Sequence, residues 1–233
     1  MNIIVTGASR GIGFETAKLL SQDTNNQVLA ISRNVDGLKK LLPESNVNQQ
    51  INNIQILPFD LVKGNYEELI RKISAKMIKV DILVNMAGAL VNKPFGQLDD
   101  DDFDLLFQSN VKSIFKLTRL LLPYFSQNAH IVNIGSMGGV QGSIKFPGLS
   151  LYSASKGAVA TLTECLAVEL KDLKISVNCL ALGSAQTEML AEAFPGYQAT
   201  VKPKDMALFI GEFALKGHKV MNGKIIPVSL SNP

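Results

Sequence analysis

The chain has 233 residues, 46% hydrophobic and 18% charged, enough apolar material for one large core and a composition that gives no sign of disorder. A net charge of +3 is too small and too dispersed to form a nucleic-acid-binding stripe. Cys165 and Cys179 form no CxxC and have no clustered histidines around them, so neither a disulfide framework nor a metal site is expected.

Residues 3–5 form a first apolar strand with no basic segment or cleavage site ahead of it. No apolar run approaches the about eighteen residues that a membrane span needs, so the expected protein is cytoplasmic, with neither membrane nor nucleic acid as a partner. Helical periodicity follows over 11–20, a strand over 27–31, an Asn-rich surface loop over 46–53, a strand over 54–59 and a helix over 65–78. A strand over 81–84 precedes a long helix over 103–125, whose start has carboxylates at 99–102 to complement its positive end. Strands over 130–134, 175–180 and 224–228 alternate with helices over 151–171 and 203–215, the last opening on Pro203, where a missing N–H costs nothing. The alternation predicts an α/β fold, a doubly wound parallel sheet with helices on both faces, as a single domain over 1–233. There is no internal repeat, low-complexity tract or linker.

Between the first strand and first helix lies TGASRGIG, residues 6–13. Its glycines, Gly7, Gly11 and Gly13, allow a sharp turn and close approach of a pyrophosphate to a helix N-terminus. Their spacing differs from the common GxGxxG, and the motif alone is weak; its place after the first of several alternating strands makes it a dinucleotide site. Cofactor choice is read at the end of the second strand, where an acidic residue would accept hydrogen bonds from the adenosine ribose. Here stand Ser32 and Arg33, and Arg33 with Arg10 forms a clamp for a 2′-phosphate, unless both are merely solvated. A charge-assisted contact of about 1.5–3 kcal/mol gives a roughly ten- to hundredfold preference, so NADP(H) is expected over NAD(H).

The stretch YSASK, residues 152–156, opens the helix over 151–171 and puts Tyr152 and Lys156 on one face. A phenol with a pKa near 10 is a poor proton partner at neutral pH. An ammonium roughly 5 Å away, at an effective dielectric near 20, favours the phenolate by about 3 kcal/mol, or about two pKa units. That moves Tyr152 towards the range of a general acid–base.

Together TGASRGIG, Asp60, the NMAG run at 85–88, Asn110, Ser136 and YSASK resemble the classical short-chain dehydrogenase/reductase family, in the family's order and over nearly the whole chain. The resemblance implies a Rossmann-like sheet of seven strands and hydride transfer between a nicotinamide and a carbonyl or alcohol carbon. It assigns Tyr152 as proton donor in reduction and acceptor in oxidation, and Lys156 to the nicotinamide ribose and to lowering the Tyr152 pKa. Ser136 would bind the substrate oxygen, and Asn110 would hold the water linking Lys156 to solvent. The implied cofactor set is Gly7, Ser9, Arg10, Gly11, Ile12 and Gly13, then Ser32 and Arg33, Asp60 and Leu61, and Asn85, Ala87 and Gly88. Tyr152, Lys156, Gly183 and Thr187 complete it, with Asp60 at the adenine and Thr187 capping the carboxamide or a phosphate.

The chain departs from the family pattern in places. Met86 replaces an asparagine and is read as packing, and Leu182 replaces a proline before Gly183, which is expected to loosen the loop near the nicotinamide. The sixteen-residue separation of Ser136 and Tyr152 lengthens the loop on the substrate side, and the terminal PVSLSNP removes the basis for family-like terminal contacts. A short substrate loop over about 183–203 offers Met189, Leu190, Phe194 and Tyr197 to a small-molecule or carrier-borne carbonyl or alcohol. His130 and His218 lie outside every motif and are read as structural. The outer faces of the helices over 103–125 and 151–171 suit a homodimer or homotetramer. Two other readings stay open: a dinucleotide-binding sensor that does no chemistry, and a partner-binding role in which cofactor serves only stability.

Overall fold

The computed structural model describes residues 1–42 and 53–230, so the loop expected over 46–53 lies outside the described residues except for Asn53. Seven strands form one sheet: β1 (Asn2–Thr6), β2 (Gln27–Ser32), β3 (Ile54–Pro58), β4 (Val80–Asn85), β5 (Phe125–Ser136), β6 (Ser176–Leu182) and β7 (Ile225–Val228). Every pairing is parallel, in the order β3-β2-β1-β4-β5-β6-β7. The direction of winding reverses at β1 and β4, where an open α/β sheet leaves a crevice at the carboxyl ends of its strands.

The helices are α1 (Gly11–Leu20), α2 (Val35–Lys39), α3 (Tyr66–Lys76), α4 (Asp100–Phe107), α5 (Ser113–Leu121), α6 (Ser150–Glu169), α7 (Glu188–Ala193) and α8 (Pro203–Lys216). Strand side chains alternate between faces, so a strand covered on both sides needs a continuous apolar run. In β1, Ile3 and Val5 join the cluster of Ala17 and Leu20 from α1 and Met206 and Ile210 from α8. Ile4, on the other face, packs with Leu69 and Ile73 of α3 and Leu117 and Leu121 of α5.

Local chemistry explains the boundaries that differ from the sequence expectation. The helix expected over 103–125 starts at Asp100, because Asp99 caps it reciprocally with Asp102. It then passes through a π-helical turn at Gln108–Lys112, continues as α5 and ends in a tight turn containing Pro123, which has no N–H to continue the ladder. Strand β5 runs from Phe125, well before the expected start at 130, with a register irregularity against β4 and Asn128 in the left-handed region at φ 64°. The short helices α2 and α7 had no periodic signal long enough to read. Each is started by a side chain: Asn34 accepts from the Gly37 N–H, and Thr187 from the Leu190 N–H.

Candidate active site

The glycine loop is shaped by what cannot stand there. Gly7 is left-handed at φ 70°, and a Cβ on it would lie 2.8 Å from Ala87 Cα. A side chain on Gly13 would run into the Gly7 carbonyl, so β1, the turn and α1 meet backbone to backbone. Thr6 fixes this junction to the next strand, its Oγ1 accepting from the Met86 and Ala87 N–H groups at 3.0 Å each. Arg10 is the N-cap residue of α1 but gives no side-chain cap, and Phe14 donates the first helical bond, to the Arg10 carbonyl. The N–H groups of Gly11, Ile12 and Gly13 are therefore the orphan donors of a helix start, the arrangement that receives a phosphate.

These groups line a cleft of about 550 Å³ at the carboxyl ends of the strands. Ser9, Ser32, Arg33, Asp60 and Leu61 line one part of it, with the Ser9 and Ser32 hydroxyls 2.8 Å apart. Asp60 Oδ1 accepts from the Val62 and Lys63 N–H groups, which fixes the turn after β3. Ala87, Gly88, Gly183 and Thr187 also line the cleft. A dinucleotide fits this site: glycines without room for side chains face an uncapped helix start, and Arg10 and Arg33 line the same cleft. Asn85 is buried and does not line the cleft, whereas Met86 packs against the core as expected and also lines the cleft. The strand alternation explains this: successive residues at the end of β4 point to opposite sides.

Ser136, Tyr152 and Lys156 meet in the same cleft, the first at the end of β5 and the others on the first turns of α6. Ser136 Oγ accepts from the Gly138 N–H at 3.2 Å. Burial pushes the Tyr152 phenol above its ordinary pKa, and the Ser136 hydroxyl beside it pulls the other way. Lys156 is hydrogen-bonded to the backbone of β5. Its Nζ lies 5.9 Å from the Tyr152 ring centre and donates to the Ile134 carbonyl at 2.8 Å. Burial pushes Lys156 down to about 8.

Asn110 sits on the π-helical turn and is fully buried, outside the cleft wall. Its Oδ1 accepts from the Ala89 N–H at 2.7 Å, and its Nδ2 donates to the Ala89 carbonyl and to Ser155 Oγ. The side chain thus ties the segment after β4 to α6, and has no hydrogen bond with Lys156. The two do converge on Gly88, where a Cβ would lie 2.8 Å from Asn110 Oδ1 and 3.6 Å from Lys156 Nζ. A second buried line joins sheet to helix: Asn85 Nδ2 donates to Asn133 Oδ1, Asn133 Nδ2 to Thr163 Oγ1, and Thr163 Oγ1 to the Val159 carbonyl.

The short chain dehydrogenase family matches residues 1–198, most of the chain. The chain belongs to the short-chain dehydrogenase family. It is 30% identical over 193 residues to the 3-oxoacyl-(acyl-carrier-protein) reductase of Thermotoga maritima, covering 80% of this chain and 74% of that one. Two solved structures share its fold. One is a 3-ketoacyl-(acyl-carrier-protein) reductase from Brucella melitensis complexed with NADH, at TM-score 0.84 and 24% identity, over 98% of this chain and 96% of that one. The other is a short chain dehydrogenase from Burkholderia cenocepacia in complex with NADP, at TM-score 0.83 and 23% identity, over 97% and 95%.

In this short-chain dehydrogenase two further segments line the cleft. The loop between Ser136 and α6 brings Phe146 and Leu149 to the cleft, and the segment around α7 brings Met189, Leu190, Phe194 and Tyr197. The loop expected to be loosened by Leu182 is anchored: Gly183 donates to the Val228 carbonyl at 2.9 Å, and a side chain there would collide with Ser229. Thr187 Oγ1 caps α7 at 3.2 Å, a role beside the one the resemblance gave it. Both Nη groups of Arg10, read as part of a phosphate clamp, are paired with Glu192 of α7. The sequence carried no sign of this contact between residues 182 apart.

Among the described residues no group of three or more His, Cys, Asp or Glu is placed to hold a metal ion, and no helix is long and apolar enough to cross a membrane.

Proposed function

We propose that the chain is an NADP(H)-dependent oxidoreductase acting on a carbonyl or alcohol carbon that bears an apolar substituent. The cofactor, when bound, supplies or accepts the hydride. The glycine-loop amides hold its pyrophosphate, and Arg33 and Arg10 meet the 2′-phosphate. Ser136 donates a hydrogen bond to the substrate oxygen and orients it towards Tyr152. Tyr152 gives its phenolic proton to that oxygen in reduction and takes it back in oxidation. Lys156, once turned from the Ile134 carbonyl to the ribose hydroxyls, brings positive charge towards the phenol and offsets the upward push of burial. Asn110 holds the Ala89 backbone and Ser155 in place around that lysine.

The observation that carries the reading is the meeting of Ser136, Tyr152 and Lys156 in one cleft with the glycine loop. The apolar wall from Phe146, Leu149, Met189, Leu190 and Phe194 supports a substrate with a hydrophobic body. The Thermotoga relative, named for a carrier-borne 3-oxoacyl substrate, supports a thioester of that kind. Fluorescence titration with NADPH and NADH tests the cofactor reading. A roughly ten- to hundredfold preference for NADPH is expected, falling towards unity in Arg33→Ala. Equal affinities in the unaltered protein would sink it.

A further inference from the structure

Arg10 is the only cation in the glycine loop, and α7 holds it. Its Nη1 donates to Glu192 Oε1 at 2.5 Å and its Nη2 to Glu192 Oε2 at 3.2 Å, a forked pair. The pair raises the guanidinium pKa and lowers that of the Glu192 carboxyl, and Glu188 adds negative charge to the same place. Arg33 lines the same cleft and has no ion pair among the described residues. Both ends of α7 also lie against neighbouring segments. At its start, the Gly11 backbone is packed so that a Cβ would lie 3.4 Å from Thr187 Cγ2 and 3.6 Å from Glu188 Oε2. At its end, Asn92 Nδ2 donates to the Ala193 carbonyl at 2.8 Å.

We infer that Glu192 is a determinant of cofactor choice, competing with the adenosine 2′-phosphate for Arg10. The inference rests on the NADP(H) reading and deepens it. Both Nη groups of Arg10 face Glu192, so a phosphate that takes them must displace the carboxylate. A phosphate left beside Glu192 and Glu188 would be repelled by both, and with nearly two negative charges it is the stronger partner for the guanidinium. A phosphorylated dinucleotide therefore unfastens α7 at Glu192, whereas an unphosphorylated one leaves the fork closed. By linkage the same factor works in reverse: whatever holds α7 down weakens the phosphorylated cofactor. The side chains of Arg10 and Glu192 are 46% and 62% exposed, so the effect is that of a surface pair, about two- to fivefold in affinity. It shrinks as salt rises.

The test uses 2′,5′-ADP and 5′-ADP, which differ in the position of one phosphate, with the unaltered protein, Glu192→Gln, Arg10→Gln and the double variant. Calorimetric titration is expected to give tighter 2′,5′-ADP binding in Glu192→Gln by about two- to fivefold, with 5′-ADP changed by less than that. In the Arg10→Gln background the second substitution is expected to tighten 2′,5′-ADP by clearly less than it does with Arg10 present, since only direct repulsion by the carboxylate is then relieved. Amide exchange over residues 188–193 of the unaltered protein is expected to speed up on adding 2′,5′-ADP and not on adding 5′-ADP. Equal tightening for both ligands, no tightening, or tightening that is undiminished in Arg10→Gln would overturn the inference. Preference for 2′,5′-ADP in the unaltered protein without a response to Glu192→Gln removes the inference and leaves the NADP(H) reading standing. Absence of that preference removes both.

Discussion

At Tyr152 and Lys156 burial works against the chemistry, raising the phenol and lowering the ammonium. In the proposed mechanism Lys156, turned to within roughly 5 Å of the phenol, offsets about two pKa units of the rise, so Tyr152 then depends on Lys156 keeping its proton. The sign follows from the lysine's position near pH 8: below it the site has the positive charge, and above it the charge is lost. The kcat/KM for carbonyl reduction is therefore expected to be level at neutral pH and to fall as pH rises through about 8, a limb that a pH–rate profile reads directly. A profile level to pH 10 would contradict it. Tyr152, Lys156 and Ser136 were legible from spacing and from the family resemblance. The orientation of Lys156 towards the Ile134 carbonyl was not, because a sequence gives a side chain's helix face and not its rotamer.

Among the elements, α6 carries both Tyr152 and Lys156, and buried polar side chains decide where it sits on the sheet. Thr163 accepts from Asn133, itself bonded to Asn85, and all three are nearly or wholly buried. Thr163→Val keeps the volume and leaves the Asn133 amide without that acceptor, an expected loss of about 1–3 kcal/mol in urea unfolding. An unchanged midpoint would show that the Asn133–Thr163 bond does not hold α6. This line was hidden in the sequence: Asn85 looked like a cofactor contact, and Asn133 and Thr163 looked like ordinary strand and helix residues. The helices α2 and α7 were missed because, at five and six residues, they are too short to show a period and rest on single caps. Missing α7 also hid Glu192, and with it the competition for Arg10.

On the scale of the whole molecule, strand alternation and apolar runs make the parallel sheet and its two helical layers readable in the sequence, since each strand needs both faces covered. What joins distant parts was less visible. His130, fully buried on β5, donates from Nδ1 to the Ala214 carbonyl of α8 and accepts at Nε2 from Asn178 of β6, a pattern that requires the neutral ring. Burial pushes its pKa down to about 4. An unfolded histidine titrates near 6.5, so its contribution is whole above that pH and is lost as pH falls from about 6.5 to about 4, about 3 kcal/mol in all. Urea midpoints taken across that window are expected to fall with pH, and His130→Gln to fall less steeply; parallel slopes would contradict this role. The most direct test of the account as a whole is NADPH oxidation at saturating cofactor with a medium-chain 3-oxoacyl thioester, for the unaltered protein and Tyr152→Phe. The account predicts turnover in the first and a loss of at least about a hundredfold in the second, with NADPH affinity nearly unchanged. Turnover that survives the loss of the phenol would contradict it.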